Sequence, residues 1–149
     1  MRPGESATLS SGPGRALVFV YGVFAVAATG RSAVQLGTEA SRAPVAYSLS
    51  LVAAVLYLVA TVCLLRGGER AWRLAVAAVG VEMLGVLVVG TLSYVEVALF
   101  PDRTVWSHFG QGYGFVPLVL PVLGLLWLRR TRPARADGGG RPQGEGDLT

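Results

Sequence analysis

Residues Trp72–Phe100 read WRLAVAAVGVEMLGVLVVGTLSYVEVALF. A hydrocarbon core about 30 Å thick is crossed by roughly 20 helical residues, so this long apolar run is predicted to form a transmembrane helix. Its flanks Ala75–Val81 and Met83–Leu87 offer Glu82 no local charge partner. Counting from Arg73 at about 1.5 Å per residue puts Glu82 roughly 13 Å into the membrane, close to the midplane. An ionisable side chain at that depth is expensive and turns toward the bundle interior. Glu82, Gly85, Val89, Ser93 and Glu96 fall on one stripe at about 100° per residue, which predicts a small and polar seam facing protein.

Three further stretches approach spanning length: Arg15–Gly37, Pro44–Leu65 and Gly112–Leu128. The whole composition agrees, with 52% hydrophobic and only 15% charged residues in 149 and a mean hydropathy of +0.54. The predicted fold is all-α: an integral membrane bundle of four transmembrane helices over residues 15–130, in contact with the lipid bilayer. A Ser/Gly/Pro-rich head (residues 1–14) and a tail (131–149) are expected to be flexible and disordered on the cytoplasmic side.

Lysine is absent, so the basic residues are all arginines. Their positions beside the apolar runs mark them as topology signals, and the high pI of about 9.8 does not point to nucleic acid. Arg15, the group Arg66, Arg70 and Arg73, and the group Arg129, Arg130, Arg132 and Arg135 belong on one side. Four spans permit this and place both termini in the cytoplasm of a multi-pass inner (plasma) membrane protein. Trp72 and Trp127 then fall at the inner interface and Trp106 at the outer one. One alternative is a signal peptide over Met1–Ala27, with Ala25-Val26-Ala27 as its cleavage site, which would leave three helices. The long polar head and the helical periodicity that continues to Gly37 favour an uncleaved first helix.

Within the spans, polar residues are the candidates for function. The second span carries a seam of Ala46, Ser50, Ala53, Tyr57 and Thr61, with small-xxx-small spacing at Ala46, Ser50 and Ala54. Tyr57 lies about as deep as Glu82, so the two form a candidate intramembrane site with a hydrogen bond between them. Arg31 shares a face with Phe24, Ala27 and Gln35 near the outer end of the first span, where Glu96 is its expected ion-pair partner. His108 and Gln111 belong to the outer loop. A lone histidine and the lone Cys63 complete no metal or redox set, so no metal or other cofactor is expected. Pro117 and Pro121 are expected to kink the fourth helix. The segment Gly110–Gly114, GQGYG, echoes a potassium filter by three letters only and reads instead as a mobile outer loop and tight helix entry, with a GxxxG that brings the fourth helix near a neighbour.

The runs Ser41–Ser50, Ala77–Glu82 and Gly112–Pro121 resemble those of small four-helix integral membrane proteins of actinobacteria. The resemblance covers about Arg15 to Arg130 and implies the four-span fold. It brings no activity, cofactor or catalytic residue with it. No Ser/His/Asp set, HExxH, Walker loop or dinucleotide fingerprint is present, so a non-enzymatic accessory or scaffold subunit is expected, bound to a second copy or another membrane protein. The alternative is a small transporter or proton-coupled carrier that uses Glu82.

Overall fold

A computed structural model of the chain describes residues 12–133, and these are helical with no strand. The elements are α1 (Gly12–Glu39), α2 (Pro44–Arg66), α3 (Gly68–Val95) and α4 (Val116–Arg130), with short 3₁₀ turns at Val97–Leu99 and Ser107–Tyr113. The expected flexible head and tail lie outside the described residues, except that Gly12–Gly14 form the first turn of α1 and Thr131, Arg132 and Pro133 follow α4. Three helices (α1, α2 and α3) are long and apolar enough to cross a membrane. A fourth crossing is reached if α4 and the turn before it are taken as one broken span, bent by 100°.

Local chemistry fixes the element ends. Pro44 opens α2, where its missing N–H is not needed. Between α2 and α3 stands only Gly67, whose φ of 66° is followed by 86° at Gly68. Two consecutive left-handed residues turn the chain back within one residue, which side chains bearing a Cβ would resist. The third helix ends at Val95, five residues before its expected limit, because Glu96 leaves helical geometry at φ −120°, ψ 64°.

The helices are stacked in chain order. α2 packs between α1 and α3, α4 leans on α3, and α4 meets α1 over a shorter length. Small residues let the backbones close up: Ala25 and Ala28 on α1, Ala46, Ser50, Ala53, Ala54 and Ala60 on α2, and Ala75 and Ala78 on α3 are all buried. Large apolar side chains point the other way, as at Phe19 (71% exposed) and Val26 (75%). A bundle with alanines and an acid inside and Phe, Val and Leu outside suits a lipid surround.

The approach to α4 departs most from expectation. At 15 residues, α4 is about 22 Å long, shorter than a hydrocarbon core. The preceding segment turns back into the bundle. Trp106 is 2% exposed and lies against Gly85, about 15 Å below the end of α3, and Phe109 lies against Gly90. Trp106 is therefore a core residue, not an interfacial one. The sharp bend is not at the prolines. Pro117 sits in the first turn of α4, where it breaks no helical bond, and only Pro121 is interior. The chain turns at Gly114 (φ 63°) and Phe115 (φ 60°), where the Phe115 N–H donates to the Gly110 carbonyl at 3.0 Å. Gly110 and Gly114 thus do not form a helical GxxxG. Gly110 serves close packing on Pro117, and Gly114 faces open space.

Candidate functional site

Glu82 is fully buried, on the α3 face that also carries Ala75, Ala78, Val79, Val86 and Val89. Its hydrogen bond comes from α1: Tyr21 Oη donates to Glu82 Oε2 at 2.9 Å. Gly124 of α4 makes room for that hydroxyl, because a Cβ there would stand 3.0 Å from Tyr21 Oη and 3.2 Å from Val79 Cγ1. One contact therefore ties α1, α3 and α4 together. Tyr57 of α2 is also fully buried and packs its ring on Tyr21 (centroids 6.2 Å apart) and Phe24 (5.7 Å). The expected bond from Tyr57 to Glu82 does not form. Tyr57 Oη, Glu82 Oε1 and Trp106 Nε1 are buried without hydrogen-bond partners among the described residues, as are Ser32 Oγ and Ser50 Oγ. Tyr21 takes Oε2 of the carboxyl in place of Tyr57, and Trp106 of the re-entrant segment stands beside Gly85, one turn from Glu82.

Arg31 makes a different set of contacts from the expected one. Its guanidinium donates to Tyr113 Oη at 2.6 Å, to the Arg103 carbonyl at 2.6 Å and to Gln35 Oε1 at 3.3 Å. Glu96 is exposed, and no carboxylate among the described residues pairs with Arg31. The premature end of α3 turns Glu96 off the seam, and the re-entrant segment brings Tyr113 and Arg103 into its place. Arg31, Arg103, Thr104, Ser107, His108, Gln111, Gly112 and Tyr113 line a cup of about 290 Å³ at this end of the bundle. His108 is half-buried, edge-on to Tyr94 at 4.6 Å, with its backbone at φ 53°. Gln111 is exposed on the rim.

At the same end, Tyr47 Oη donates to Asp102 Oδ2 at 2.5 Å, and Arg42 pairs with Asp102 (3.4 Å) and Glu39 (3.6 Å). These contacts fasten the α1–α2 connection to the α3–α4 connection. At the opposite end, Trp72 Nε1 donates to the Leu128 carbonyl at 2.7 Å and Arg132 stacks over the Trp72 ring. Between α1 and α4 runs an apolar cleft of about 670 Å³, lined by Leu17 and Val20 on one side and Val119, Leu123 and Trp127 on the other, with Arg130 also on its lining.

Two residues of this candidate site, Tyr21 and Tyr113, are not among those expected from the sequence. Tyr21 was findable, since it lies about 9 Å past Arg15, near the depth of Glu82, on the face shared with Ala25, Ala28 and Ser32. Tyr113 was not, because nothing in the residue pattern signals that the segment before α4 re-enters the bundle. Among the described residues no group of histidine, cysteine, aspartate and glutamate is disposed to hold a metal ion. Comparison with family models, with curated proteins and with solved structures finds no match to the chain.

Proposed function

We propose that this chain is a four-span integral membrane protein of the plasma membrane, with both termini cytoplasmic, acting as a non-enzymatic accessory or scaffold subunit of a membrane assembly. The observation that carries the reading is the cleft between α1 and α4. Buried small residues close α1 on α2 and α2 on α3, yet here an apolar cleft follows α4 from Gly114 to Arg130. Its lining runs from one end of α4 to the other, and its occupant is a transmembrane helix of a neighbouring subunit. Arg15, Arg66, Arg70, Arg73, Arg129, Arg130 and Arg132 gather at the end where α1 begins and α4 ends, which supports the cytoplasmic assignment. The bond from Tyr21 to Glu82 supports retention of α1 in the mature protein.

Cysteines placed at Val20 and Leu123 in a Cys63→Ala background test the docking reading by crosslinking in native membranes. A discrete crosslinked product containing a second copy or a single other membrane protein is expected. Reaction with lipid-phase reagents alone, with no protein adduct, would count against it.

A second reading, a small proton-coupled carrier acting through Glu82, is favoured by one observation: Oε1 of Glu82, Oη of Tyr57 and Nε1 of Trp106 are all buried and unpartnered among the described residues. In liposomes, Glu82→Gln would then abolish flux and leave assembly intact. Unchanged flux would eliminate the carrier.

A further inference from the structure

We infer that the cup at the loop end of the bundle binds a small oxyanion, of the phosphate or carboxylate class, through Arg31 and Arg103. Arg31, Arg103 and His108 are among the residues that line the cup, and no aspartate or glutamate is. Asp102 beside it is turned away and held by Tyr47 and Arg42. Arg31 spends three N–H groups on neutral acceptors, Tyr113 Oη, the Arg103 carbonyl and Gln35 Oε1. A guanidinium has five such groups, so one remains on each terminal nitrogen, and its charge is met by no acid among the described residues. A positive charge half-buried at the end of an apolar bundle is unfavourable without a counter-charge. The planar fork matches the paired oxygens of a carboxylate or phosphate better than it matches chloride.

The protein holds this cation in place. Thr104 and Ser107 are bonded to one another (Oγ1 to Oγ, 3.2 Å), and the Thr104 N–H donates to Ser107 Oγ at 2.9 Å, which fixes the turn that presents the Arg103 carbonyl. His108 in the cup wall, and Phe109 and Gly110 that follow it, all adopt positive φ (53°, 60° and 79°). Two consecutive non-glycine residues held there mark the segment that presents His108 to the cup as kept in a costly conformation. Arg103 and Gln111 on the rim are exposed, so an anion reaches the cup from the aqueous side or from lipid headgroups at the same level.

The test uses the full chain in phosphatidylcholine nanodiscs, titrated with inorganic phosphate or acetate against chloride at constant ionic strength, with thermal stability as the readout. Saturable stabilisation by phosphate or acetate is expected. In nanodiscs containing phosphatidylglycerol, stabilisation without added phosphate, and loss of the phosphate response, would identify the headgroup as the source of the same oxyanion; an unaltered phosphate response would identify a free anion. Arg31→Gln should weaken the response by about tenfold to a hundredfold. Because Arg31 also braces the loop, Arg103→Ala is the second variant. Its side chain makes no hydrogen bond or ion pair among the described residues, and its loss should weaken the response by about threefold to tenfold. The inference is overturned if neither phosphate, acetate nor phosphatidylglycerol stabilises the wild type, or if Arg103→Ala responds as the wild type does.

Discussion

Tyr21→Phe removes one oxygen atom and keeps the ring that packs on Tyr57. Glu82 would then have neither carboxyl oxygen bonded among the described residues, since Oε1 already lacks a partner. In water-soluble proteins a bond to a group of this kind is worth about 1.5–3 kcal/mol. Interhelical bonds in membranes average nearer ~0.6 kcal/mol, because the unfolded chain in lipid also finds partners. Full enclosure at a junction of three helices puts the expected loss between these figures, at about 1–2 kcal/mol. Tyr57→Phe is a control of the same size and nearly the same place. Its hydroxyl makes no hydrogen bond to Glu82 and meets none of full geometry among the described residues, so its removal should change stability by less than about 0.5 kcal/mol or raise it. Unfolding in mixed micelles with increasing denaturing detergent, followed by circular dichroism, measures both. In a Glu82→Leu background the cost of Tyr21→Phe should vanish. The reasoning is refuted if Tyr57→Phe costs as much as Tyr21→Phe, or if the cost persists without the acid.

Other substitutions probe the re-entrant segment and the two ends of the bundle. Gly85→Ala places a Cβ 2.7 Å from Trp106 Cζ3, and should cost about 1–3 kcal/mol and shift Trp106 emission to the red as the indole is displaced. Gly112→Ala, with no atom within 4 Å, should leave both readouts unchanged. Trp72→Phe keeps the ring beneath Arg132 but leaves the Leu128 carbonyl, in the last turn of α4, without its donor; the expected loss is about 0.5–1.5 kcal/mol in the same unfolding assay. Asp102→Asn weakens the contacts to Tyr47 and Arg42. With Arg42 62% exposed, the loss should stay under about 1 kcal/mol and shrink further in high salt.

Span-scale features were legible because they depend on local composition. Apolar length located α1, α2 and most of α3, and the cost of burying an acid placed Glu82 in the interior. The small-xxx-small seam of α2 is buried as expected at Ala46, Ser50 and Ala54. Partner identity was less legible. A stripe at 100° per residue says that Glu82 faces protein, but it does not choose between Tyr57 and Tyr21, which pack on each other at almost one depth. The expected Arg31–Glu96 pair rested on a straight helix through Phe100; one residue leaving helical geometry at Glu96 was enough to remove it. The course of residues 104–115 depends on positive φ at His108, Phe109 and Phe115. These residue types rarely adopt that conformation, so only the glycines hinted at a turn.

The native mass of the tagged chain, extracted in mild detergent from its own membrane at native expression, bears most directly on the subunit role. A stoichiometric assembly heavier than one tagged copy of the chain is expected, with a cleft crosslink from Val20 or Leu123 to the neighbour. A chain recovered alone, at the mass of a single tagged copy and carrying only lipid, would contradict it.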